Sequence, residues 1–191
     1  MHAILKPLLS LLLFFLAACA STPLAPKDAP PRPARETVNS FAVNARAIIK
    51  QSGKANSLRV MWEHSPDTDN IGFASPLTGM IAELQRDRSG ARWISAEGEH
   101  YEARNADLLM ARLTDEPVPI AALALWVTGQ TGASATEIQR DSAGRLLQAV
   151  EKGWLIKILS YETDLPNAMP AVMEVESGSL LIRLAFEEYV I

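Results

Sequence analysis

The sequence predicts a mainly β domain of the α+β class: one strongly curved antiparallel sheet, or incomplete barrel, with helices over one opening. Two observations lead there. Apolar side chains recur with period two between Phe41 and Ala103 and again between Arg145 and Phe186, as half-buried strands require. Between these stretches the period changes, and Asn105 and Pro119 supply the cap and the start of two short helices.

The elements follow in order. Phe41, Val43 and Ala45 alternate with smaller or polar residues, and Leu58, Val60 and Trp62 alternate with Arg59, Met61 and Glu63. Further strands are expected at 71–74, 80–85, 92–96 and 100–103, with Gly90 and Gly98 at turns, so the first half reads as a meander. One helix carries Leu108, Leu109 and Leu113, and a second runs from Pro119 through Leu123, Trp126 and Val127 to Gly129. Strands resume at 145–150, 154–161, 171–176 and 180–186, with Pro166 and Pro170 in a loop and Ser177-Gly178 as a hairpin turn. This order suits a half-barrel enclosing a cavity, and it equally suits an α+β domain whose helices complete a solid core.

Ahead of the domain, Lys6 and the apolar run Leu8–Ala18 are too short for a membrane span and fit an export signal. Leu16-Ala17-Ala18-Cys19 looks like a bacterial lipobox, with the sole cysteine where acylation requires it. Residues 1–18 are therefore expected to be a lipoprotein signal peptide. Residues 19–36 would be an acylated Cys19 and a tether rich in proline (Pro23, Pro26, Pro30, Pro31, Pro33), and residues 37–191 one domain. Ala20 after the cysteine favours outer-membrane sorting by resemblance to enterobacterial rules. Attachment would rest on acyl chains, each CH₂ contributing roughly 0.8 kcal/mol, because 18 Lys and Arg against 22 Asp and Glu give little attraction to anionic lipid as a whole. The same balance, with scattered basic residues, excludes a nucleic-acid binder.

Catalysis has little to stand on. His2 would leave with the signal, so His64 and His100 alone remain, and no nucleophile elbow or phosphate loop is present. His64 with Asp67 and Asp69 has ligand-type side chains but reads as a solvated turn, and no metal or cofactor is expected. Apolar bulk is instead available to line a pocket: Trp62, Phe73, Trp93, Leu109, Leu113, Ile120, Leu123, Trp126, Trp154 and Ile156. Taken singly, each is ordinary core. Ser75-Pro76-Leu77-Thr78-Gly79 is a turn between two apolar strands, and Leu77 either sits unpartnered at its tip or folds back.

From Phe41 to the C-terminus the chain resembles the LolB family of outer-membrane lipoprotein receptors. The resemblance is carried by Phe41-Ala42-Val43-Asn44-Ala45-Arg46, the Trp62 strand, Ser75-Pro76-Leu77, Pro117-Val118-Pro119 leading to Leu123, and Trp126-Val127-Thr128-Gly129. Asp141, Gly144-Arg145-Leu146, Gly153-Trp154, Tyr161 and Met169-Pro170 complete it. Departures are Ala45, Thr78 before Gly79, and Tyr189, where the family usually has Gly, Gly and Trp. The resemblance implies an unclosed β-barrel with a helical lid over an apolar cavity for the acyl chains of client lipoproteins. It also implies a soluble periplasmic carrier, LolA, as donor, and no enzyme activity. Pro76 and Leu77 would match a protruding loop that releases clients into outer-membrane phospholipid. A monomer is expected. The competing reading is a structural outer-membrane lipoprotein that scaffolds partners without lipid cargo; a hydrolase using His64 and His100 is a distant third.

Overall fold

A computed structural model describes residues 32–114 and 117–191; the expected signal, Cys19 and the tether up to Pro31 lie outside the described residues. The described domain is one antiparallel sheet of eleven strands: β1 (Phe41–Gln51), β2 (Lys54–His64), β3 (Asp69–Ser75), β4 (Gly79–Asp87), β5 (Gly90–Ser95), β6 (His100–Ala103), β7 (Thr136–Arg140), β8 (Leu146–Glu151), β9 (Trp154–Tyr161), β10 (Pro170–Ser177) and β11 (Leu180–Val190). Their order is β6-β5-β4-β3-β2-β1-β11-β10-β9-β8-β7, two meanders joined where β1 pairs with β11. β6 and β7 are edges that do not pair with each other, so the barrel is unclosed.

Two helices, α1 (Ala106–Leu113) and α2 (Ile120–Val127), stand in the chain between these edges. Asn105 caps α1, its Oδ1 accepting from the Leu108 N–H at 2.8 Å, as its residue type predicts. α2 has six buried residues out of eight, so it is enclosed rather than amphipathic. Both edges are blunted. β6 has four residues, and Arg112 of α1 donates to the Glu102 carbonyl at 3.0 Å. β7 is exposed throughout and pairs with β8 in an irregular register.

Period two puts Phe41, Val43, Ala45 and Ala47 on the concave side and leaves Arg46, Ile48 and Lys50 on the outer wall. The strand registers define two ends. At the hairpin end lie the turns at Ser52-Gly53, Ser75–Gly79, Lys152-Gly153 and Gly178-Ser179. At the root end lie Phe41, the 64–69 turn, Asp87–Gly90 and the 161–170 loop. The described chain starts at the root end. There Arg32 pairs with Glu162 at 2.9 Å, and buried Arg35 donates to the carbonyls of Pro166 and Ala168 and stands 5.7 Å from the Tyr161 ring centroid.

Differences from the sequence reading are local. β1 and β2 extend to a tight hairpin at Gln51–Lys54, because alternation continues past Ala45 through Ile49. Pro170 opens β10 instead of staying in the loop, at a register shift where its missing N–H costs no ladder bond. β7, whose five residues are all exposed, has no buried face to produce an alternation.

Candidate functional site

Against the concave side lies an apolar cavity of about 140 Å³ in the hairpin half. The sheet supplies Ala47, Ile49, Leu58, Val60, Ile71 and Phe73, with Leu180, Ile182 and Leu184 of β11; the roof is Met110, Val118, Ile120 and Leu123. Trp62 closes it toward the root end. Gln51 and Thr114 are the polar members of the lining.

Of the side chains singled out from sequence, Trp62, Phe73, Ile120 and Leu123 meet here. The other six lie outside this lining. Leu109, Trp126, Trp154 and Ile156 are buried solidly in the core, with the Trp126 and Trp154 ring centroids 6.4 Å apart. Trp93 stacks on Phe73 at 5.3 Å, behind the lining, and Leu113 packs half-buried on the core. Sequence missed Ile49, Met110, Val118 and the β11 aliphatics. Period two names the face a strand residue takes, but not whether that face meets a helix or a space.

The far half of α2 is fixed by a buried carboxylate. Glu151 accepts from Trp126 Nε1 at 2.8 Å, Gly132 N at 3.0 Å and Ser134 Oγ at 3.0 Å. A Cβ at Gly132 would stand 2.3 Å from Glu151 Oε1, so a side chain there displaces the carboxylate. The Tyr189 hydroxyl lies 2.9 Å from the Val127 carbonyl, at the end of the same helix. Burial raises the Tyr189 phenol well above its ordinary value and pushes Tyr161 up to about 12, although Arg35 and Arg145 beside Tyr161 act the other way. Thus α2 is clamped at its C-terminal end, while its first turn faces the cavity.

At the hairpin end Leu77 is 94% exposed. Ser75 Oγ accepts from the N–H groups of Leu77 (3.1 Å) and Thr78 (3.3 Å), and Gly79 takes the left-handed conformation (φ 79°) that ends the turn. Leu77 does not fold back, and glycine one position later still closes the loop.

The His64 turn is not simply solvated. Asp69 is buried and accepts from Trp62 Nε1 at 2.9 Å, from Arg86 Nε, and at 2.6 Å meets His64 Nδ1. Burial alone would raise its carboxyl, but these donors hold it below its ordinary value. Asp67 stays at the surface with Arg88. Among the described residues no three His, Cys, Asp or Glu side chains gather as metal ligands. Asp69 therefore braces Trp62, the floor of the cavity.

Comparisons accord with this architecture. The family described as outer membrane lipoprotein LolB matches residues 39–189. Relatives named outer-membrane lipoprotein LolB include one from Azoarcus sp. (strain BH72), 30% identical over 91% of this chain and 89% of its own. Another, from Chromobacterium violaceum, is 27% identical over 96% and 98%. A solved LolA superfamily protein from Nitrosomonas europaea shares the fold, with a TM-score of 0.53 and 10% identity over 83% of this chain and 90% of that one. The unclosed sheet, the helices over its cavity and a match across nearly the whole described domain place this chain in the LolB family of outer membrane lipoproteins.

Proposed function

We propose that the protein receives acylated lipoproteins from the periplasmic carrier LolA and delivers them into the outer membrane, to which acylated Cys19 would anchor it on the periplasmic face. The observation that carries this reading is the apolar cavity under α1 and α2, set beside a loop that holds Leu77 in water.

The physical demand is covering. Acyl chains exposed to water cost roughly 0.8 kcal/mol per CH₂, so a client with three chains must stay shielded throughout its transfer. A lining of aliphatic side chains with Trp62 and Phe73 offers that shielding without selecting a headgroup. In size the cavity matches one that holds a benzene-sized ligand (~150 Å³), far short of an acyl chain. The described conformation is accordingly the closed one, and loading displaces the first turn of α2 and residues 117–119 before it while the Glu151 clamp stays. Handover needs no nucleotide, since the chains move toward the tighter apolar site. Pro76 and Leu77 touch the bilayer, where one leucine contributes about 1.5–3 kcal/mol, enough for reversible contact.

The test mixes a soluble form lacking Cys19 with LolA carrying an acylated lipoprotein and scores by pull-down which protein holds the client. Transfer to this protein supports the reading. Retention by a carrier that unloads onto an established LolB overturns it.

A further inference from the structure

The outer wall has a charge division that overall composition hides. The chain as a whole is acidic, with a formal net charge of −4. Yet the outer face of β1 and β2 in the hairpin half carries Arg46, Lys50 and Arg59, with Lys54 at the hairpin, and no acidic side chain of these two strands shares that half. Acids flank this sector on both sides: Glu83 on β4, Glu174 and Glu176 on β10, and Glu187 and Glu188 on β11.

Two features of this sector oppose stability. Arg46 and Arg59 are direct cross-strand partners, and like charges so placed are destabilising. Arg46 is relieved by Glu187 at 2.7 Å, whereas among the described residues Lys50, Lys54 and Arg59 have no acidic partner. The second feature is apolar. In the register Arg59 faces Ala74, and Ala74 faces Met80, which is 52% exposed. Ile81 beside it is also exposed, and the Met61 and Met80 methyls converge over Gly72, where a Cβ would stand 3.1 and 3.5 Å from them. A row of unpaired cations thus adjoins an apolar strip that runs up to Leu77.

We infer that this wall, β1, β2 and the start of β4 beside the Leu77 loop, is the face the domain lays against a phospholipid surface bearing anionic headgroups. Lys50, Lys54 and Arg59 meet the phosphates, and Met80, Ile81 and Leu77 enter the acyl boundary, the division of labour expected of a surface that rests in a membrane interface. Charge complementarity selects this occupant: the strip alone would suit any apolar partner, but the cations beside it match a field of phosphates. The inference builds on the proposed delivery role by naming the orientation of the domain on the bilayer.

The test is vesicle co-sedimentation of the chain from residue 19 with Cys19→Ser. Vesicles of phosphatidylcholine alone are compared with vesicles containing phosphatidylglycerol, at low and raised salt. Binding is expected on the anionic vesicles only and should weaken with salt. Lys50→Gln, Lys54→Gln and Arg59→Gln together should reduce it about a hundred-fold, at roughly five-fold per cation, with the urea midpoint no lower and client uptake from LolA unchanged. Equal binding to both vesicle types, or undiminished binding by the folded triple variant, overturns the inference. So does loss of client uptake with vesicle binding intact, which would make the sector a carrier dock. Failed client uptake by the unsubstituted protein alongside charge-dependent vesicle binding would remove the transport reading and leave the wall assigned.

Discussion

Leu77 is held in water by design of its loop, since the Ser75 hydroxyl satisfies the two N–H groups that would otherwise draw the turn inward. Leu77→Glu should leave client uptake unchanged and slow insertion into vesicles at least ten-fold, because the ~1.5–3 kcal/mol of apolar transfer is replaced by a charge to be desolvated. Equal insertion rates would separate the loop from delivery. Glu151 is the opposite kind of residue, wholly internal. Glu151→Ala strands the Trp126, Gly132 and Ser134 donors and should cost roughly 3 kcal/mol, read from the urea unfolding midpoint. Neither Asp69 nor Glu151 was legible as a hub from sequence. An acidic residue looks alike in a turn or a core until its donors are placed, and those of Asp69 come from residues 62, 64 and 86.

Among elements, the strands with one buried face were readable, and so were both helices, because a cap residue and a proline mark their starts. β7 was not, having no buried face, and neither was the division between cavity and core. Trp62 and Trp126 are both buried, yet one borders space and the other meets Trp154 and a carboxylate. This division predicts a spectroscopic contrast. A brominated acyl probe taken up by the domain should quench tryptophan emission; Trp62→Phe should remove the larger share of that quenching, and Trp154→Phe little of it. Equal losses would mean that the probe lies elsewhere. The part of the roof that loading is proposed to displace is equally specified: amide exchange on probe binding should change in residues 110–114 and 117–123 and stay constant around 126–132, where the clamp holds.

For the whole molecule, the buried titratable groups bound its pH range on both sides. Asp69 has a folded pKa below its ordinary value of 3.8, so its contribution is complete above that value and is lost as pH falls through the lower folded one. Tyr161 is shifted up, from 10.0 to about 12, so its contribution is present below pH 10 and disappears as pH rises toward 12. Urea midpoints should therefore be flat through neutrality and fall at both extremes. Tyr161→Phe should lessen the alkaline loss while also removing the hydroxyl's hydrogen bond to the Leu146 carbonyl.

Arg32 and Arg35 pin the start of the described chain at the end of the barrel away from Leu77. On the proposed anchor, the thirteen residue steps from Cys19 to Arg32 can span at most about 45 Å, at ~3.3–3.6 Å per residue. A strand of eleven residues such as β1 is ~35 Å long, and less along a barrel axis to which strands tilt. On the proposed delivery role, that reach would just allow the domain to open toward the periplasm for loading and toward its own bilayer for unloading. Removing residues 21–30 leaves three steps, about 10 Å. The acylated protein should then still take clients from LolA but strand them, whereas the same deletion without acylation should deliver to added vesicles at the usual rate.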